Sequence, residues 1–273
     1  MDKRSRTGRN LPAAIASSVV LLAMIAASLY FWKPAFLLVV VPAILIGIWE
    51  FRRGFAIAGI RLPFEPIMAG AVVMLVGAYV GGAPALATAL AVTALATLLW
   101  RLRGGIAGFV RDSTAGVFVA VYAPFLAGFV FLLLRPDDGS LRVVTFILVT
   151  IASDIGGYVV GVLIGRHPMA PVISPKKSWE GFGGSAVFCV TVGWASVVYL
   201  LDGEWWVGVT LGVVAAVMAT LGDLCESVIK RDLGIKDMSS IVPGHGGLMD
   251  RLDSLLATVA PTWLLLFYLV PVA

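Results

Sequence analysis

In "GDLCESVIKRD", Asp223, Glu226, Ser227, Lys230 and Arg231 recur at i, i+3, i+4, i+7 and i+8, which aligns them along one stripe of a helix. Further on, "DRLDS" sets Asp250 and Asp253 three residues apart, on one side of a second helix. Between the two lies "VPGHGG", where Gly244, Gly246 and Gly247 permit positive φ and the close backbone approach of an anion-binding nest, with His245 as a donor to phosphate. An earlier stretch, "ISPKKSWEGFGGS", adds Ser174 and two point charges suited to phosphate, Lys176 and Lys177. Magnesium takes one or two carboxylates and completes its shell with water and substrate phosphates. Carboxylates from two helices, several lysines and a glycine nest therefore spell phosphoryl or nucleotidyl transfer. No P-loop "GxxxxGK[ST]" is present, and no hydrolase triad is needed.

Simpler explanations compete for each group. Lys230 and Arg231 can snorkel from a helix end to water, and acids at a helix N-terminus complement its dipole. Asp223 escapes that account, because its short side chain cannot reach far. A carboxylate at that depth calls for a polar cavity. Asp154, 12 residues beyond Arg142 and so about 18 Å along a helix, calls for the same.

These residues sit in a very apolar chain. It is 60% hydrophobic and 13% charged, with a mean hydropathy of +0.99; a soluble domain carries about 25% charged residues. The reading is an all-α polytopic membrane protein with about nine transmembrane helices, near 12–31, 35–50, 66–81, 84–100, 113–134, 142–165, 182–201, 205–229 and 252–271. Continuous apolar runs, without alternation, exclude a barrel. The basic, apolar start could pass for a signal peptide, but more apolar segments follow it and it reads as an uncleaved first span.

Of the 20 Lys and Arg, 17 fall in alternate loops on one side; only Lys33, Arg135 and Arg142 fall on the other. Basic loops stay cytoplasmic, so the N-terminus is inside and the C-terminus external. The formal charge of +4 thus follows from topology and gives no case for nucleic acid. Residues 1–141 form an N-terminal group of about five spans. Residues 142–273 form a catalytic region of about four, with long cytoplasmic loops at 166–181 and 230–251. Gly157, Gly161 and Gly165 read as a close helix-packing face. Cys189 and Cys225 read as small core residues rather than a disulfide or a zinc site.

Residues 227–253, "SVIKRDLGIKDMSSIVPGHGGLMDRLD", resemble the signature of the phosphatidate cytidylyltransferases, or CDP-diacylglycerol synthases. The matching positions are Ser227, Lys230, Arg231, Lys236, Asp237, Pro243, His245, Gly246, Gly247, Asp250, Arg251 and Asp253. "SPKKSWEG" and "SDIGGYVVG" are similar to further family segments, with Ser178 where threonine is frequent and Val242 where a larger aliphatic is usual. The resemblance is close over roughly 150–260; the first half matches only as a set of spans. It implies transfer of the cytidylyl group from CTP to phosphatidic acid, a membrane lipid, giving CDP-diacylglycerol and pyrophosphate with Mg²⁺. It also implies a bacterial-type cytoplasmic membrane, a site facing the cytoplasm, and a homodimer. On that reading Asp223 and Asp250 hold the metal, while Lys176, Lys177, Lys230, Arg231 and Lys236 hold phosphates. Asp253 completes a second cation site or orients Arg251. Asp154, Ser174, Ser227, His245, Gly246, Gly247 and Arg251 contact substrate.

Two other readings stay open. A CTP-dependent lipid kinase of the polyprenol or phytol type shares the metal and lysines but needs a base for its hydroxyl substrate. An ion or solute transporter would use Asp154, Asp223 and Asp250 to line a path, although the charges gather at one face. The absence of "DGxxAR" argues against the CDP-alcohol phosphotransferases.

Overall fold

The structure is a computed structural model that describes residues 23–239, 241 and 246–272. The helices are α1 (helical over the described 23–31), α2 (Ala35–Ile57), α3 (Phe64–Leu102), α4 (Phe109–Ala120), α5 (Leu126–Leu134), α6 (Gly139–Ile164), α7 (Trp179–Leu200), α8 (Trp205–Asp232) and α9 (Met249–Leu269). Among the described residues, seven stretches are long and apolar enough to cross a membrane. Most of the first expected span lies outside the described residues.

The expected spans 66–81 and 84–100 are the two arms of α3. Gly82, at φ 74° and ψ −159°, interrupts the helix in a conformation open only to glycine, and Pro84 follows. A Cβ on Gly70 would stand 2.1 Å from Thr93 Oγ1. In unbroken helix those two residues would be about 35 Å apart, so the chain folds back on itself. Small residues at 70, 77, 81 and 85 let the arms touch. The expected span 113–134 is α4 and α5 joined by one π-helical turn, Val121–Phe125. Pro124 lies in that turn and cannot donate the regular i→i−4 bond, which widens it.

Loops gather at two ends. At the first, Lys33 Nζ donates to the carbonyls of Pro136 and Asp137, Ser140 donates to Leu29, and Arg135 covers Gly82. Tyr30, Trp32, Tyr199, Trp205, Trp206 and Tyr268 are exposed there, as an interfacial aromatic belt requires. At the second end, Arg61 N–H donates to Asp112, Arg111 to the Gly59 carbonyl, and Gly54 packs on Leu233 and Ile235. Between the ends, residues such as Val80, Val92 and Leu163 point outward, a surface suited to lipid.

Buried ions tie down both ends. Arg101 and Asp112 pair at 2.9 Å with both side chains under a tenth exposed, and Arg101 also binds the Ala107 carbonyl. Part of the basic bias at that end is therefore structural. Arg142, counted above as a loop residue, is buried inside α6. Its Nε binds Asp138 at 2.8 Å, and its other nitrogens take the carbonyls of Leu266, Val270 and Pro271 at the C-terminal end of α9, where backbone acceptors run short of helical donors. Arg142→Leu should cost about 3–5 kcal/mol, since it strands Asp138 and those carbonyls. Thermal unfolding in detergent should show a large fall in midpoint, whereas Arg135→Leu should change it little.

Residues 166–181, expected to be irregular, contain a two-stranded antiparallel ribbon, β1 (Pro168–Ala170) and β2 (Ser174–Ser178). Strands this short give no readable alternation. The described helices otherwise fit the all-α polytopic reading, with ends three to seven residues longer than expected at several loops, for example at Ile57 and Asp232.

Candidate active site

Glycines bring α6 and α7 into contact. A Cβ on Gly156 would lie 2.6 Å from the Gly184 carbonyl oxygen, and one on Gly157 2.7 Å from Ser185 Oγ. Gly161 faces Gly181, so the expected packing face is real at Gly157 and Gly161. Gly165 lies past the helix end, in extended backbone. Of the cysteines, Cys189 is a buried core residue near the Val149 carbonyl, but Cys225 is exposed on α8, which corrects the core reading for it.

At the second end, α6, α7, α8 and α9 part around a cavity of about 450 Å³ walled by the ribbon. Asp154, Ser174, Lys176, Lys177, Asp223, Asp250, Arg251 and Asp253 all line it. The sequence did not single out Ser153, Tyr158, Ser185, Thr220 and Ser254, which line it too. Ser178 caps α7, accepting the Gly181 N–H at 3.1 Å; serine serves this as well as threonine. Glu180 closes the base of the ribbon by accepting the N–H groups of Arg166 and His167 and pairing with His167 Nδ1 at 2.5 Å. The ribbon thereby presents Lys177 Nζ to Asp223 Oδ2 at 2.5 Å.

Deeper in the wall, Lys230 Nζ lies between Glu226 Oε2 at 2.5 Å and Asp250 Oδ1 at 2.7 Å. Asp250 Oδ2 accepts the N–H groups of Met238 at 3.0 Å and Gly247 at 2.8 Å. Lys230 is thus held by two acids and does not project into the cavity as a free phosphate ligand. Gly246 has the expected positive φ of 90°, but Gly247 N–H points at Asp250 and not outward as a nest donor. Ser227, Arg231 and Lys236 do not line the cavity, and the latter two are exposed. His245 and Gly244 lie outside the described residues.

For a divalent ion, the donor chemistry fits. Asp223 keeps 40% of its side chain exposed. Asp250 has three of a carboxylate's roughly four lone-pair sites filled and retains one. Among the described residues no three His, Cys, Asp or Glu side chains form a ready-made metal centre. A site of two carboxylates completed by water and phosphates needs none.

Glu50, which the sequence reading passed over, is fully buried in α2 and accepts from Ser239 Oγ, Leu248 N–H and Met249 N–H. Its one signal was being the only acid in an otherwise apolar helix with two arginines.

What the helices enclose is a polar cavity of the kind that an integral-membrane transferase of phosphate-bearing substrates requires. The sequence matches the cytidylyltransferase family over residues 12–269, and the chain belongs to that family. It is 41% identical to the phosphatidate cytidylyltransferase of Mycobacterium leprae (strain TN), over 96% of this chain and 89% of that protein. It is 38% identical to that of Mycobacterium bovis (strain ATCC BAA-935 / AF2122/97), over 96% and 90%. A shorter match, 39% over 46% of this chain and 49% of the relative, is to the phosphatidate cytidylyltransferase of Staphylococcus aureus (strain COL).

Proposed function

We propose that the chain transfers the cytidylyl group of CTP to phosphatidate, yielding CDP-diacylglycerol and pyrophosphate, from the cytoplasmic face of a bacterial-type cytoplasmic membrane. The observation that carries this reading is one cavity, at the end where the described basic loops gather, that combines Asp223 and Asp250 with Lys176 and Lys177. One of its walls is α6, where Tyr158 lines the cavity and nearby Leu163 is exposed on an outer surface suited to lipid. A lipid phosphate and a nucleotide from water can therefore meet there.

The balance of bonds is simple. A phosphatidate oxygen attacks the α-phosphorus of CTP, one P–O bond forms, and the bond to the β-phosphate oxygen breaks. A phosphomonoester is already largely ionised at neutral pH, its second pKa being about 6, so no general base is required. The obstacle is repulsion between two polyanions. Lys176 and Lys177 enter the cavity as compact cations, and Arg251 offers a planar fork of donors. Mg²⁺ held by Asp223 and Asp250 would supply Lewis-acid stabilisation of the phosphates. Asp250 can serve only if Lys230 and the two N–H groups keep it in place.

Incubating the purified protein with phosphatidate vesicles, Mg²⁺ and CTP labelled at the α-phosphate should move label into lipid, and EDTA should stop it. Label entering lipid from the γ-phosphate instead would mean a lipid kinase and overturn the assignment.

A further inference from the structure

The segment after α8 is fastened by two carboxylates from opposite sides. Asp250 accepts from Met238 and Gly247, while Glu50 accepts from Ser239, Leu248 and Met249. The donors are Met238 and Ser239, just after α8, and Gly247, Leu248 and Met249, at the start of α9, so the two carboxylates tie these two short stretches together. Gly247 sits between them. A Cβ there would lie 2.8 Å from Asp250 Oδ2 and 2.9 Å from Glu50 Oε1, so any side chain at this position would push the two carboxylates out of place.

Glu50 is 0% exposed and, among the described residues, no Lys, Arg or His forms an ion pair with it. Hydrogen bonds hold such a carboxylate, and among the described residues the donors to its side chain, Ser239, Leu248 and Met249, all lie after α8. The same helix packs Gly47 against Met249 and Gly54 against Leu233 and Ile235.

Resting on the reaction proposed above, we infer that Glu50 is a positioning residue. It fixes Ser239 and the start of α9, and with it Asp250, against the N-terminal half of the protein. Burying Glu50 is favourable only while the segment is docked, and the segment finds its place through Glu50. The N-terminal spans thereby take part in catalysis although, among the described residues, α2 and α3 contribute nothing to the cavity lining.

The test uses the full chain in nanodiscs, with Met238→Cys in a Cys189→Ala, Cys225→Ser background. Met238 is buried, so its thiol reports whether the segment is docked. Adding Glu50→Gln places an amide donor against a backbone N–H. Maleimide labelling at 238 should rise about tenfold or more, and kcat should fall roughly 10- to 100-fold, the range for losing an outer-shell partner. The unfolding midpoint should move far less than for Arg142→Leu. Ser239→Ala, which removes one donor and no charge, should shift labelling and kcat the same way by less; it serves if Glu50→Gln does not fold. Unchanged labelling, or a kcat loss that vanishes on cooling in step with recovered stability, would overturn the positioning role. Labelling is read without turnover, so it stands apart from failure of the transfer reaction itself.

Discussion

Asp223→Asn should lower turnover by at least about a hundredfold while the protein stays folded, the scale of losing one preorganised electrostatic contact in an active site. The substitution keeps shape and removes charge. Asp223 lies in the cavity wall, 40% exposed, with Lys177 Nζ at 2.5 Å. A partly exposed pair beside an open cavity contributes little to folding, about 0–1 kcal/mol, so the unfolding midpoint should barely move. On the proposed reaction, catalysis would depend on it in two ways. Its charge holds Lys177 at the mouth of the cavity, and it is the less engaged of the two acids suited to a cation. The variants Lys177→Met and Asp223→Asn/Lys177→Met separate these roles. If Asp223 served only to orient Lys177, the double variant would be no worse than Lys177→Met alone. A cation-binding role makes it worse by a further large factor, and added Mg²⁺ should not restore it. Turnover above a tenth of wild type in Asp223→Asn would remove the residue from the machinery.

Much of this site was legible because helical spacing carries real geometry. The stripe from Asp223 to Lys230 and the pair Asp250 and Asp253 could be set on two facing helices from their intervals alone, and Asp223, Asp250 and Asp253 do converge on one cavity. Asp154 was found by its depth in an apolar run. Spacing says which side of a helix a residue occupies, not what it meets there. Lys230 and Arg231 are adjacent and both basic, yet Lys230 turns inward to two acids while Arg231 stays exposed. Gly247 was read as an anion-binding glycine, but its missing Cβ makes room for two carboxylates of the chain itself. Glu50 was out of reach for another reason. Its partner Ser239 lies 189 positions away, and nothing local to α2 names that contact. The ribbon at 168–178 escaped because strands of three and five residues are too short to show a period.

Lys230→Met should be the most damaging single change at the site, in folding and in turnover together. Lys230 Nζ is the cation between Glu226, 1% exposed, and Asp250, 8% exposed. Removing it leaves two buried acids side by side with no cation between them and only backbone N–H groups on Asp250, a loss of about 3–5 kcal/mol. Against a total stability of about 5–15 kcal/mol, that should show as poor yield and a sharply lower midpoint. Glu226 Oε1 already lacks a hydrogen-bond partner, so this acid has no second contact to fall back on. Lys230→Arg should not rescue the site. The planar guanidinium cannot fill a space set for a compact ammonium 2.5 Å and 2.7 Å from its two oxygens. Glu226→Gln/Lys230→Met should recover much of the stability by removing one stranded charge, yet turnover should stay near that of Lys230→Met, because Asp250 remains without its anchor. Stability and activity would then part in the double variant, as they should if Lys230 keeps Asp250 in its working position. Recovery of both together would mean that Lys230 serves folding alone.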